Sequence, residues 1–330
     1  MKHKICVIGA GNMGTALAQL IANNGHYVAL WNYDSKVLKQ IKETRHSKFL
    51  KNIKLSTKIL PTDDIEEAVA GCRVVILAVA SPYIRQVARM VGPALESDAI
   101  VVNVAKGVEA KTDLIMCAVI ADEIPAHNRR FLTDLSGPSL ADEFARGVPT
   151  AVVVACKAKR VFPVLRRYMQ SETFRLVESS DLLGISFAGV LKNVYAIALG
   201  MCDGYSYSMN CKALLTSAAV GEMAIFMKAV GGKAESAYSL AGVGDLVVTG
   251  FGKSRNRRFG EIMTKCGDCQ VAKDKAADTV EGIAAAKAIL AIAHKRKLKL
   301  PLLFMITNVL FYKKEAKKEL DNFFANAFKK

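Results

Sequence analysis

Ile5-Cys6-Val7-Ile8-Gly9-Ala10-Gly11-Asn12-Met13-Gly14 stands almost at the start of the chain. The apolar run reads as a strand, and Met13, Leu17, Leu20 and Ile21 make one stripe of a helix over 13–24. Between them lies G-x-G-x-x-G. Gly9 permits the tight turn, Gly11 lets a pyrophosphate approach the backbone, and Gly14 lets helix and strand pack closely. The helix N-terminus offers N–H groups and a partial positive charge to an anion. Placed directly after a strand, this pattern predicts dinucleotide binding.

Working outward, further strands are expected at 27–31, 74–80, 99–104 and 150–155, with a helix at 37–44. Val74-Val75-Ile76-Leu77-Ala78-Val79-Ala80 is continuously apolar, as for a strand covered on both faces of a parallel sheet. Strands alternating with helical patterns are βαβ units, so a doubly wound parallel sheet is expected. From Asp181 onward β-branched runs thin out and helical windows take over, at 182–201, 213–230, 234–241, 280–294 and 301–312. The expected division is 1–180, a dinucleotide-binding domain, and 181–330, a helical substrate-binding domain.

The chain has 330 residues, is 52% hydrophobic and 23% charged, and so has ample material for packed cores. No stretch reads as a signal peptide or an integral membrane span. Eight cysteines scattered mostly through apolar segments suit buried thiols in a reducing, cytoplasmic compartment. A net charge of +16 favours anionic partners, and the basic stretch 295–330 is read as a solvated helical tail rather than a nucleic-acid surface. Asp34 lies twenty positions after Gly14, where an acid commonly takes ribose hydroxyls. No Arg follows at that strand end. Lys36 and Lys39 are the cations at hand for a 2′-phosphate, so the expectation tilts to NAD over NADP.

Lys192 sits in the middle of 182–201, a window apolar around most of its circumference. A lysine there must snorkel, pair with a carboxylate or lose its proton, and one with a lowered pKa is a general base. Ala241-Gly242-Val243-Gly244-Asp245 is a glycine-rich turn carrying one acid. Ser254 is a candidate N-cap, which puts Arg255, Arg257 and Arg258 in or near a first helical turn. Cations there oppose the helix dipole, as if an anion were bound at that end.

These motifs resemble one family closely, the bacterial-type NAD(P)-dependent glycerol-3-phosphate dehydrogenases. The resemblance runs through Gly9–Gly14, Ala105–Glu109, Ser136–Ser139, Leu191–Val194, Gly244–Leu246, Ser254–Gly260 and Val280–Gly282. It implies an α/β N-terminal Rossmann domain, an all-helical C-terminal domain like that of 6-phosphogluconate dehydrogenase, and a homodimer. It also implies interconversion of dihydroxyacetone phosphate and sn-glycerol 3-phosphate, supplying glycerophospholipid synthesis. Lys192 would be the proton donor and acceptor, Lys106 would lie against substrate and cofactor, and Asp245 would orient Lys192 or the substrate hydroxyl. Gly137 and Ser139 would line the substrate pocket. Ser254, Arg255 and Asn256 would hold the phosphate, with Arg255 also touching the dinucleotide. Gly9, Gly11, Asn12, Met13, Gly14, Tyr33, Lys106, Ala141, Thr279 and Glu281 fall at cofactor positions. No metal is implied.

The chain departs from the family pattern at Asn12, Met13 and Tyr33, where Ser or Gly, an aromatic, and Arg or His are usual. Lys212 replaces a usual Arg, and 249–253 is about one residue short. Cys266-Gly267-Asp268-Cys269 supplies only half the ligands of a structural zinc site, and reads as a loop with two free thiols. The rival expectations are another lysine-base dehydrogenase, of the 6-phosphogluconate or β-hydroxyacid type, and a catalytically silent binding protein.

Overall fold

The structure is a computed structural model and describes residues 4–276, 280–327 and 329. The chain forms two compact units, Met1–Ala105 with Met116–Leu182, and Lys106–Ile115 with Leu183–Lys330. The segment Lys106–Ile115, which the 1–180 division assigns to the first domain, therefore packs with the second, where Lys106 finds its ion-pair partner.

The first unit is built on eight strands: β1 Ile5–Ile8, β2 Val28–Trp31, β3 Ile59–Thr62, β4 Val74–Leu77, β5 Ile100–Asn103, β6 Thr133–Ser136, β7 Thr150–Ala155 and β8 Phe174–Ser179. Their order is β3-β2-β1-β4-β5-β6-β7-β8. All neighbours pair parallel except β6 and β7, which run antiparallel, so the parallel expectation is modified at that one junction. The chain winds outward from β1 to β3 and then crosses back to β4. The β1/β4 junction is thus a topological switch point, where ligands bind beyond the strands' carboxyl ends.

Three strands were not expected from the sequence. Strand β3 contains Pro61, which a sheet tolerates at its edge. Strand β6, Thr-Asp-Leu-Ser, is short and polar yet fully buried, with Asp134 accepting from Asn103 Nδ2 at 3.1 Å. Strand β8 is the other edge. Its Phe174 and Leu176 are buried while Arg175 and Val177 are exposed, the period-two signature of a half-covered strand.

Among the described residues the second unit is helical, with one isolated β-bridge between Val108 and Ile115. At its centre is the helix Leu182–Gly204, buried at every position from 184 to 202. By length and composition this helix could cross a membrane, but 89% of its apolar window is buried within the protein. Helix Arg255–Cys266 crosses it with backbones almost touching. A Cβ on Gly260 would lie 2.1 Å from Ile197 O, and one on Gly200 would lie 1.9 Å from Arg257 O. Glycine is therefore required on both sides of the crossing. The 234–241 window becomes a 3₁₀ turn, Ala234–Tyr238, and a π-helical turn, Leu240–Gly244, leading into helix Asp245–Phe251.

Glu222, on helix Met209–Ala229, is buried at the start of helix Pro301–Phe311. Its carboxyl accepts from Leu302 N at 2.5 Å, Leu303 N at 2.9 Å and Tyr195 Oη at 3.0 Å. It thus caps a helix whose own N-cap, Leu300, has no side-chain acceptor. Burial pushes the Glu222 carboxyl up to about 7, even though these three donors favour its charged form.

Candidate active site

At the end of β1 the chain turns at Gly9, with φ +111°, and Gly9 N donates to Trp31 O at 2.8 Å. A Cβ on Gly14 would sit 1.8 Å from Gly9 O, which fixes that position as glycine. A Cβ on Gly11 would meet nothing within 4 Å. The loop is held by Ala10 N donating to Asn32 Oδ1 at 3.2 Å and by Thr15 Oγ1 donating to Ala10 O at 3.1 Å. Helix Asn12–Asn23 begins from Gly11 with no side-chain cap, so no side chain competes for its first N–H groups.

Beside this loop is a cavity of about 520 Å³ lined by Gly9, Gly11, Trp31, Tyr33, Asp34 and Lys48, among others. Open backbone at Gly11, an uncapped helix start and an apolar-walled cavity fit a dinucleotide. Tyr33 is 83% exposed at this cavity. Asp34 also lines it, but one carboxylate oxygen accepts from Lys36 N at 2.9 Å and caps helix Ser35–Thr44. Lys36 and Lys39 are not among the lining residues, and Lys39 leans toward Glu43 at 3.8 Å. The cation at the cavity is Lys48.

In the second unit Lys192 is 8% exposed and Asp245 is 3% exposed. Lys192 Nζ donates to Asp245 Oδ1 at 3.0 Å and to Thr249 Oγ1 at 2.7 Å. Lys106 Nζ is ion-paired with the other oxygen, Asp245 Oδ2. The π-helical turn delivers Asp245 to the first position of its helix, and Thr249 lies one turn on, on the same face. Burial pulls the Lys192 ammonium down to about 8; Asp245 opposes that shift and Lys106 adds to it. Burial pushes the Asp245 carboxyl up, but the two ammonium groups outweigh it and hold the group below the usual carboxylate range. The result is an amine able to give or take a proton near neutral pH, fixed against a permanent anion.

Ser254 caps helix Arg255–Cys266 as expected, Oγ accepting from Arg257 N at 3.1 Å. The first-turn arginines, however, already face carboxylates. Arg255 pairs with Glu281 at 2.5 Å, and Arg257 with Asp203 at 2.5 Å and Glu261 at 2.6 Å. Asn256 is buried, with Nδ2 donating to Asn193 Oδ1 at 2.9 Å and Oδ1 accepting from Gly282 N at 2.9 Å. It thereby ties three helices together beside Lys192.

The expected residues thus fall into clusters. Lys106, Lys192 and Asp245 meet directly, and Ser254, Arg255, Asn256 and Glu281 adjoin one another in the same unit. In the first unit, Gly9, Gly11 and Tyr33 share the cavity, and Asn12 and Met13 open the helix after it. Ala141 opens helix Ala141–Ala145, which packs against helix Asn12–Asn23. Gly137 and Ser139 follow β6, with Ser139 Oγ donating to Gly137 O at 3.1 Å. Thr279 lies outside the described residues.

Asn32, Lys48, Asn193 and Thr249 were not assigned roles from the sequence. For Thr249 a signal existed in its i+4 spacing from Asp245. For Asn32 and Lys48 there was none, because their positions depend on how β2 and the loop after helix Ser35–Thr44 close around the cavity.

A doubly wound sheet with a glycine-cradled helix start, joined to a helical unit with a buried lysine, places the chain among the two-domain nicotinamide-dependent dehydrogenases. A family profile described as NAD-dependent glycerol-3-phosphate dehydrogenase N-terminus matches residues 4–162, and the C-terminus profile of that family matches 181–321. The chain therefore belongs to the NAD-dependent glycerol-3-phosphate dehydrogenase family. It is 38% identical to the glycerol-3-phosphate dehydrogenase [NAD(P)+] of Fusobacterium nucleatum, over 95% of this chain and 94% of that one. It is 36% identical to the Agathobacter rectalis protein of that name, over 95% and 93%. A crystal structure of glycerol-3-phosphate dehydrogenase (gpsA) from Coxiella burnetii superposes with TM-score 0.88 at 29% identity, covering 98% of this chain and 99% of that one. A ketopantoate reductase from Ralstonia eutropha shares the fold alone, with TM-score 0.62 at 14% identity over 96% of this chain and 98% of that one.

Proposed function

We propose that the chain interconverts dihydroxyacetone phosphate and sn-glycerol 3-phosphate with NADH or NADPH, using Lys192 as acid and base. The observation that carries this reading is the buried Lys192 amine, held by Asp245 and Thr249 with its pKa drawn down to about 8. When bound, the dihydronicotinamide supplies a hydride to C2 of the ketone. In that direction the Lys192 ammonium gives its proton to the C2 oxygen and is left as the amine. In the other direction the amine takes the C2 hydroxyl proton. Asp245 keeps the lysine oriented and stabilises its charged form, so the proton can return. Lys106 adds a second cation against substrate and cofactor, and Gly137 and Ser139 line the substrate pocket.

Ser254, Arg255 and Asn256 hold the phosphate end in this reading. Arg255, half-exposed on its pair with Glu281, would also touch the dinucleotide. Gly9, Gly11, Asn12, Met13, Gly14, Tyr33, Ala141, Thr279 and Glu281 form the cofactor set. The enzyme would act as a cytoplasmic homodimer supplying glycerophospholipid synthesis, and its eight free cysteines suit that reducing compartment.

The test is oxidation of NADH and of NADPH, followed by absorbance with dihydroxyacetone phosphate as acceptor. Turnover supports the reading, and the ratio of the two rates gives the cofactor preference. Absence of turnover in a protein that still binds dinucleotide would overturn it in favour of another lysine-base dehydrogenase.

A further inference from the structure

Away from the dinucleotide cavity, the first unit carries a pocket of about 440 Å³ lined by Phe162, Pro163, Arg166, Arg167, Gln170, Ser171 and Arg175. Three guanidinium groups border it and no carboxylate does. Glu172, in the same loop, and Glu178, on the same strand as Arg175, are not among its lining residues. None of the three arginines has an ion pair among the described residues. Elsewhere six arginines, Arg85, Arg89, Arg146, Arg160, Arg255 and Arg257, face carboxylates, while Arg45 and Arg296 donate to backbone carbonyls. What sets this pocket apart is three guanidinium groups around one concavity.

Arg166 and Arg167 lie in the last turn of helix Val161–Met169, where the helix dipole favours cations. That accounts for two of the three. Arg175 arrives independently from edge strand β8, so the convergence is not a property of the helix end. Three uncompensated like charges around one small concavity repel one another, and an anion bound among them removes that repulsion.

We propose that this pocket binds a compact anion carrying two or more phosphate groups, at a site separate from the dinucleotide cavity. Guanidinium forks match phosphate oxygens bidentately, and three of them match the charge of an oligophosphate better than that of one carboxylate. Gln170 and Ser171 add polar groups, and Phe162 and Pro163 give one apolar wall for an organic portion.

The test is calorimetric titration of the full chain with inorganic tripolyphosphate, with NADH at saturation to fill the dinucleotide cavity. The triple variant R166Q/R167Q/R175Q is compared with K42Q/K314Q/K318Q, which removes as many exposed charges elsewhere. The expected result is one tripolyphosphate per chain in the unaltered protein and the control, weakened at least tenfold in the arginine variant, with NADH affinity unchanged in all three. Equal tripolyphosphate binding in both variants would overturn the site. So would tighter capture of a short single-stranded oligonucleotide or of phosphatidylglycerol vesicles than of tripolyphosphate, because either would make the surface a polymer or membrane contact. The single variant R175Q, weakened by itself, would exclude a purely helix-end effect.

Discussion

Lys192 and Asp245 are 53 residues apart in the chain, and their side chains meet at 3.0 Å in the buried centre of the helical unit. Each alters the other. The carboxylate keeps the lysine from losing its proton outright, and the lysine, together with Lys106, keeps the carboxylate charged despite its burial. Replacing Lys192 by Met keeps most of the volume and removes the proton. Turnover should fall by about three orders of magnitude, the range of a lost general acid. NADH affinity, measured by quenching of the single tryptophan Trp31 in the dinucleotide cavity, should stay unchanged. Near-full turnover in this variant would remove Lys192 from the chemistry.

The rate should follow the protonation of that amine. Ketone reduction needs the ammonium, so its kcat should be level at low pH and fall as pH rises through about 8. Alcohol oxidation needs the amine and should rise through the same region. In Asp245→Asn the group that favours the charged lysine is gone, and the midpoint should move down by about one unit or more. A profile that stays in place would show that Asp245 does not govern the lysine.

Glu222 gives a different pH dependence, one of stability. Its folded-state carboxyl titrates at about 7, above the ordinary 4.5, so the folded chain holds a proton that the unfolded chain releases. That contribution is complete below pH 4.5 and is lost as pH rises through 7, to a total of about 3 kcal/mol. Thermal melts of the unaltered protein and Glu222→Gln should therefore diverge between pH 5 and 8, with the variant lacking this part of the decline. Parallel curves would mean that the carboxyl stays ionised in the fold.

Lys48 borders the dinucleotide cavity where the sequence offered only Lys36 and Lys39. If it meets the 2′-phosphate, Lys48→Ala should raise KM for NADPH about tenfold and leave that for NADH within twofold, the loss expected of one charge-assisted contact. An equal change for both cofactors would assign Lys48 to the shared part of the dinucleotide.

Much of this was legible in the sequence, because it depends on local pattern. The glycine spacing after Ile5–Ile8 requires a strand, a tight turn and a helix in succession. A lysine inside an apolar window has few physical fates wherever the rest of the chain goes. What was not legible depends on neighbours distant in sequence. Strand β6 is too short and polar to register, and exists because β5 and β7 flank it. The hydrogen bonds of Asn256 to Asn193 and Gly282 likewise depend on partners 63 and 26 residues away, which no local pattern announces.

The Lys106–Ile115 segment leaves the first unit to pack in the second and then returns, and that detour sets an order of events during synthesis. Lys106 is made 139 residues before Asp245, the carboxylate it pairs with. While the ribosome is still translating the intervening chain, the lysine does not yet have that partner. A gene fragment starting at residue 183 encodes nearly all of the helical unit but not this cation, and one ending at residue 182 encodes the cation without its carboxylate. The cluster of Lys106, Lys192 and Asp245 is therefore divided between the two halves of the message and is completed only after Asp245 has been added.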